Sequence, residues 1–258
     1  MSNSIIVFGL QKGGVGKTTT CVSTGIALAQ LGHKVLLIDG DPQGNLTTIL
    51  LVNPESFKKT FYDFLMKKDV ALSEVIIKTE SGVDLVPANV ELARAELEMV
   101  SGLEREKILA RRFANNTATL EQYDYVLIDS PPSLGLLTVT QLVAADMVVM
   151  PVECAFLALG GLQDFLDLVS EVQVINPKLR LLGLLPTKLD TTKKASEEVE
   201  TYLRETYAET VFKTRIQLYS ELTRIPVNGP LALWRPKHPA NVQYLEFAKE
   251  LISRAKQN

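Results

Sequence analysis

Cysteine and histidine are almost missing from this chain: Cys21, Cys154, His33 and His238 are all it has. With no Cys-x-x-Cys pair among them, a disulfide framework and a Cys/His zinc site are both excluded. Cys21, inside the first expected helix, and Cys154, just after an expected strand, read as small buried apolar residues. No apolar run approaches the roughly 18 residues that a membrane-spanning helix needs. The opening Met-Ser-Asn-Ser leads directly into a strand and lacks the basic and apolar regions of a signal peptide, so a cytoplasmic protein is expected. Internal repeats, low-complexity tracts and Gly/Ser linkers are absent too. What is there is 258 residues, 46% hydrophobic and 22% charged, enough for one α/β domain with a large core.

A surplus of positive charge is also lacking overall, since the formal net charge is −3. Its distribution is uneven. Residues 1–177 hold 13 basic and 21 acidic side chains, a net −8, whereas residues 178–258 hold 14 and 9, a net +5. Such asymmetry hints at an anionic partner for the C-terminal part.

Short β-rich runs recur with helical stretches between them: 5–8, 34–38, 83–86, 125–128, 147–151, 181–185 and 210–213. This alternation predicts a twisted, mostly parallel central sheet of about seven or eight strands with helices on both faces. Runs such as Val35-Leu36-Leu37-Ile38 show no polar alternation, as strands covered on both sides require. Helices are expected over 17–31, ending at Gly32, over 158–175, stopped by Asn176-Pro177, and over 241–256. One domain, 1–258, is expected throughout.

Three segments carry chemistry. The first is Lys12-Gly13-Gly14-Val15-Gly16-Lys17-Thr18-Thr19, set between a β-branched strand and an apolar-periodic helix. Its glycines let successive N–H groups converge on phosphate oxygens, the helix N-terminus adds positive potential, Lys17 can reach the β and γ phosphates, and Thr18 can ligate Mg²⁺. The ordinary phosphate loop has a glycine where Gln11 stands, and it has no lysine at the position of Lys12. The second segment, Asp39-Gly40-Asp41-Pro42-Gln43-Gly44-Asn45, places two carboxylates at the carboxyl end of a strand, where open α/β sheets bind ligands. The third, Tyr125 to Ser133, is an apolar strand ending in Asp129, suited to a Mg²⁺-bound water, followed by the stiff Ser130-Pro131-Pro132 loop.

Together these segments resemble the ParA/MinD group of P-loop ATPases, which carry a deviant Walker A motif, and the resemblance runs from Ile5 to about Lys256. It implies a single-domain P-loop NTPase fold, ATP and Mg²⁺ as cofactors, and slow hydrolysis that a partner stimulates. Lys12 would cross a dimer interface to the neighbour's nucleotide. Asp41 would position or activate the attacking water, with Lys12 and Lys17 as the other catalytic groups. Thr18, with Asp39 and Asp129 through water, would hold the metal. Residues 12–19 and Thr187, in a late base-recognition loop, would bind nucleotide. The specific expectation within the group is a ParA/Soj-like partition ATPase that closes into an ATP-dependent homodimer, binds DNA nonspecifically and positions plasmid, chromosome or other cargo with a ParB-like adaptor. It would associate with the nucleoid when ATP-bound. DNA-face candidates are Lys188, Lys193, Lys194, Arg215, Arg224 and Arg235, with Lys213 and Lys237 nearby; Glu221 departs from the family's frequent arginine. No N-terminal helix-turn-helix precedes the first strand, so operator binding is not expected.

The runner-up is a MinD-like membrane-surface ATPase, which needs a free amphipathic C-terminal helix. Tyr244, Phe247, Leu251 and Ile252 form such a stripe beside Lys249, Arg254 and Lys256, although a helix packed on a sheet would show the same. An iron–sulfur reductase lacks its paired cysteines, and a tyrosine-kinase reading lacks a C-terminal tyrosine cluster.

Overall fold

A computed structural model describes residues 3–50, 57–223 and 237–257. Seven strands form one sheet in the order β3-β4-β2-β5-β1-β6-β7, where β1 is Ser4–Phe8, β2 Val35–Asp39, β3 Ile77–Lys78, β4 Asp84–Val86, β5 Tyr125–Asp129, β6 Met147–Glu153 and β7 Arg180–Thr187. All neighbours are parallel except β3 and β4. The unbroken apolar runs are explained by burial on both faces. In β1, Ile5 and Val7 face one core while Ile6 and Phe8 face the other. Each such side chain contributes about 1.5–3 kcal/mol when withdrawn from water.

One face of the sheet is covered by α1 (Lys17–Gln30) and α10 (Pro239–Ala255). The other carries α3 (Phe61–Met66), α4 (Leu92–Met99), α5 (Ile108–Ala114), α7 (Leu136–Ala144) and α8 (Leu162–Ile175). The helix α9 (Lys194–Tyr207) follows β7, and the short α2 (Asn45–Ile49) and α6 (Thr117–Leu120) lie in connections. Tyr244, Phe247 and Leu251 of α10 are buried against α1 and the sheet, so the stripe that a membrane-surface helix would present is already covered. Among the described residues no helix is long and apolar enough to cross a membrane.

Two expectations need correction. The run 210–213 does not join the sheet as a strand: a 3-10 turn occupies Ala208–Thr210, and Val211 makes a single parallel bridge to Leu184. The Phe212 N–H donates to the Leu184 carbonyl at 2.9 Å, and side chains take several of the neighbouring backbone groups. Arg254 donates to the carbonyls of Thr210 and Val211, Arg204 to that of Phe212, and Glu250 accepts from the N–H groups of Lys213 and Thr214. The helix expected from residue 158 begins at Leu162, because the adjacent Gly160 and Gly161 disfavour an α-helical turn and a 3-10 turn, Phe156–Gly161, stands there instead. The two-residue β3 is too short to leave a sequence signal.

Candidate functional site

Strand register assembles the site. Asp39 at the end of β2 pairs with Asp129 at the end of β5, and Asp129 pairs in turn with Phe8 at the end of β1, after which the glycine loop begins. Three motifs far apart in sequence thus finish side by side at one edge of the sheet, on the strands flanking its crossover point.

The loop between β1 and α1 needs its glycines for two different reasons. Gly14 and Gly16 have φ of 78° and 91°, in the left-handed region that side chains disfavour. At Gly13 and Gly14 an added Cβ would meet nothing within 4 Å, so the backbone there presents a bare surface. Gly16 caps α1 without any side-chain hydrogen bond, which leaves the first-turn N–H groups free for an anion. Val15 is buried, whereas Thr18 and Thr19 are half-buried. Thr187, buried at the end of β7, donates its hydroxyl to the Val15 carbonyl at 2.8 Å and so braces the loop.

The two lysines differ. Lys17 is 6% exposed, and its Nζ donates to the carbonyl of Lys12 at 2.7 Å. Burial lowers its pKa, while the charges of Asp129 and Asp41 oppose that shift. Lys12 is half-exposed, and its ammonium has no partner among the described residues.

Around Lys17 stand three buried carboxylates. Asp39 accepts the N–H and hydroxyl of Thr47 at 2.8 and 2.6 Å, yet burial still raises its pKa to about 6. Asp41, 7% exposed, accepts the Gln43 N–H at 2.9 Å. Both carboxylate oxygens of Asp129 are buried without a hydrogen-bond partner; burial and the charge of Asp39 hold it well above the usual carboxylate range, with Thr18 and Lys17 acting the other way. An orphaned carboxylate beside two others calls for a cation. Bare loop amides facing them call for an anion, so the residues fit a magnesium nucleotide. The Ser130 hydroxyl donates to the Phe8 carbonyl at 3.0 Å, tying the loop after β5 to β1.

A small cavity of about 30 Å³ opens beside the loop, lined by Gly16, Thr20, Thr187, Ile216, Tyr219 and Tyr244 among others. Its walls come from the glycine loop and the start of α1, the end of β7, the segment after β7 and α10. Tyr244, on α10, is read from the sequence only as part of an apolar stripe; its place beside the glycine loop has no local signal.

The described DNA-face candidates, Lys188, Lys193, Lys194 and Arg215, each have a partner within the chain. Lys188, a third exposed, lies along the glycine loop: at φ 50° its Nζ donates to the Gly14 carbonyl and stands 3.9 Å from Glu153. Arg215 pairs with the buried Glu200 at 2.8 Å, Lys193 with Asp190 at 3.0 Å and Lys194 with Glu198 at 3.4 Å. Arg224 and Arg235 lie outside the described residues. Cys21 and Cys154 are buried as expected, and burial pushes the Cys154 thiol up to about 12.

A family model described as an AAA domain matches residues 3–181. The sporulation initiation inhibitor protein Soj of Bacillus subtilis is 39% identical over 96% of this chain and 98% of its own. The chain belongs to the ParA/MinD family of P-loop ATPases. The chromosome partitioning protein ParA of Caulobacter vibrioides is 37% identical over 97% of this chain and 94% of its own. Among solved structures, a Mycobacterium smegmatis protein named cobyrinic acid a,c-diamide synthase, with bound ATP analogue and magnesium, is 36% identical. It superposes with a TM-score of 0.85 over 99% of this ParA/MinD-family chain and 96% of that one.

Proposed function

We propose that this protein is a ParA-like ATPase that binds Mg-ATP, closes into a nucleotide sandwich dimer, holds DNA nonspecifically and positions a cargo with an adaptor that stimulates hydrolysis. The observation that carries the reading is the division between the two loop lysines. Lys17 is buried among the carboxylates of its own site, while Lys12 is half-exposed and unpartnered among the described residues. One loop then neutralises its own phosphates with Lys17 and offers Lys12 to the neighbour.

Within each site the loop amides and Lys17 bind and orient the phosphates, which is most of what phosphoryl transfer requires. Thr18 would hold magnesium directly, and Asp39 and Asp129 through water; bound magnesium supplies charge neutralisation at the phosphate oxygens. Asp41 aims its free carboxylate oxygen to orient the attacking water and draw its proton. The base would lie against the end of β7, over the small cavity beside Thr187.

For DNA, Lys193 and Lys194 at the start of α9 are the best described candidates. Their ion pairs are exposed, and such pairs are worth only about 0–1 kcal/mol, so phosphates can displace the partner carboxylates. Dimerisation doubles a weak patch into a bivalent one. The likeness to the Mycobacterium smegmatis diamide synthase raises amide transfer as a second activity, but ammonia drawn from glutamine calls for a reactive thiol. Both cysteines here are buried with raised pKa values. The deciding experiment is binding to random duplex DNA with ATP, ADP and no nucleotide across a salt series. ATP-specific, salt-sensitive binding is expected, and its absence would remove the DNA reading.

A further inference from the structure

Gln141 carries no motif, yet its side chain is fully buried at the nucleotide edge of the sheet. It lies on α7, and its Nε2 donates to the Gly40 carbonyl at 3.0 Å. That carbonyl belongs to the peptide joining Gly40 to Asp41. The N–H of the same peptide donates to Asp39 Oδ1 at 3.4 Å, and the Gly40 N–H donates to the Asp129 carbonyl at 2.9 Å. A Cβ on Gly40 would stand 2.5 Å from Gln141 Nε2 and 2.7 Å from that carbonyl, so the backbone is pressed flat against the amide.

The other half of the amide is wasted: Gln141 Oε1 is buried with no partner. An apolar side chain of similar volume would fill the space without stranding an acceptor, so packing alone does not account for glutamine here. What remains is its donor. The same helix also grips the loop after β5, where the Thr138 hydroxyl donates to the Ser133 carbonyl at 2.8 Å.

We propose that Gln141 is a positioning residue for ATP hydrolysis. It fixes the Gly40–Asp41 peptide, and with it the direction of the Asp41 carboxylate, and it links that loop through α7 to the Ser130–Ser133 loop. This rests on the ATPase reading given under Proposed function.

The test measures equilibrium ATP binding, steady-state hydrolysis and single-turnover hydrolysis on the full chain for the parent, Gln141→Met, Gln141→Ala, Asp41→Ala and the Asp41→Ala/Gln141→Met double variant. In Gln141→Met the donor is lost at nearly constant volume, and kcat is expected to fall by about ten-fold or more while KM and the ATP Kd stay within about three-fold. Because Gln141 acts through Asp41, adding Gln141→Met to Asp41→Ala should cause no further loss. Gln141→Ala should show the same split between kcat and KM. A kcat within about two-fold of the parent, a raised KM at unchanged kcat, or an equal further fall in the Asp41→Ala background each overturns the proposal. If neither single variant binds ATP, Gln141 is a packing residue and the proposal is overturned as well. Failure of the parent to hydrolyse ATP would instead sink the ATPase reading, so the two failures are distinguishable.

Discussion

Replacing Asp39 by asparagine should stabilise the nucleotide-free protein near neutral pH, and the structure gives the size of the effect. Asp39 is wholly buried, and burial raises its pKa from 3.8 to about 6 despite two hydrogen bonds from Thr47. Because the folded-state value lies above the unfolded one, ionisation opposes folding: the penalty is absent below about pH 4, grows as pH rises towards about 6, and is complete above that. A rise from 3.8 to about 6 corresponds to about 3 kcal/mol at neutral pH, about half of it already present at pH 5. Asparagine removes this penalty and relieves the neighbouring Asp129, whose own carboxyl is pushed up by the Asp39 charge. Against that, its one amide oxygen serves Thr47 and its NH₂ then faces the Asp41 N–H, donor to donor, so that weak bond is lost at a cost of about 1 kcal/mol. That cost is the same at every pH. Urea unfolding of both proteins in EDTA, at about pH 5 and about pH 7.5, should therefore show the asparagine variant gaining about 1–2 kcal/mol relative to the parent between the two conditions. A stability difference that does not change with pH, or one that shrinks as pH rises, would refute the assignment of Asp39 as a carboxylate held in the site against its own solvation.

The remaining predictions concern single groups. Lys17→Ala should abolish nucleotide binding by equilibrium titration, because it leaves the three carboxylates facing the phosphates without their buried cation. Lys12→Ala should bind nucleotide as a monomer with near-parental affinity but lose ATP-dependent dimerisation and hydrolysis; unchanged dimerisation by light scattering would contradict its action in trans. Asp41→Ala should retain ATP and accumulate as the dimer, with hydrolysis lowered by about a hundred-fold or more, and parental turnover would disprove its role. Glu200→Gln breaks a buried carboxylate that accepts from Arg204 at 2.7 Å and Arg215 at 2.8 Å, and should cost about 2–4 kcal/mol in denaturant melts. A loss below about 0.5 kcal/mol would mean that the two arginines find other partners.

The layered α/β architecture, six of the seven strands to within a residue or two, and the three segments 12–19, 39–41 and 129 that meet at the strand ends were all legible in the order of the amino acids. These are local facts: glycines at left-handed positions, β-branched runs without polar alternation, and carboxylates at strand ends leave their mark wherever the chain is read. The pattern of Tyr244, Phe247 and Leu251 was legible too, but the same stripe serves a helix on a membrane and a helix on a sheet, and only packing against α1 chose between them. That 210–213 makes one bridge to β7 and no full strand is a property of the fold, in which Arg204, Arg254 and Glu250, all on helices, bond several of its backbone groups. Folding also turned Lys188 from a surface charge into a brace on Gly14, and it brought Gln141 to Gly40 across 101 residues of chain. Charge and periodicity are properties of a segment, whereas what a buried donor or a bracing lysine touches depends on which strands stand side by side.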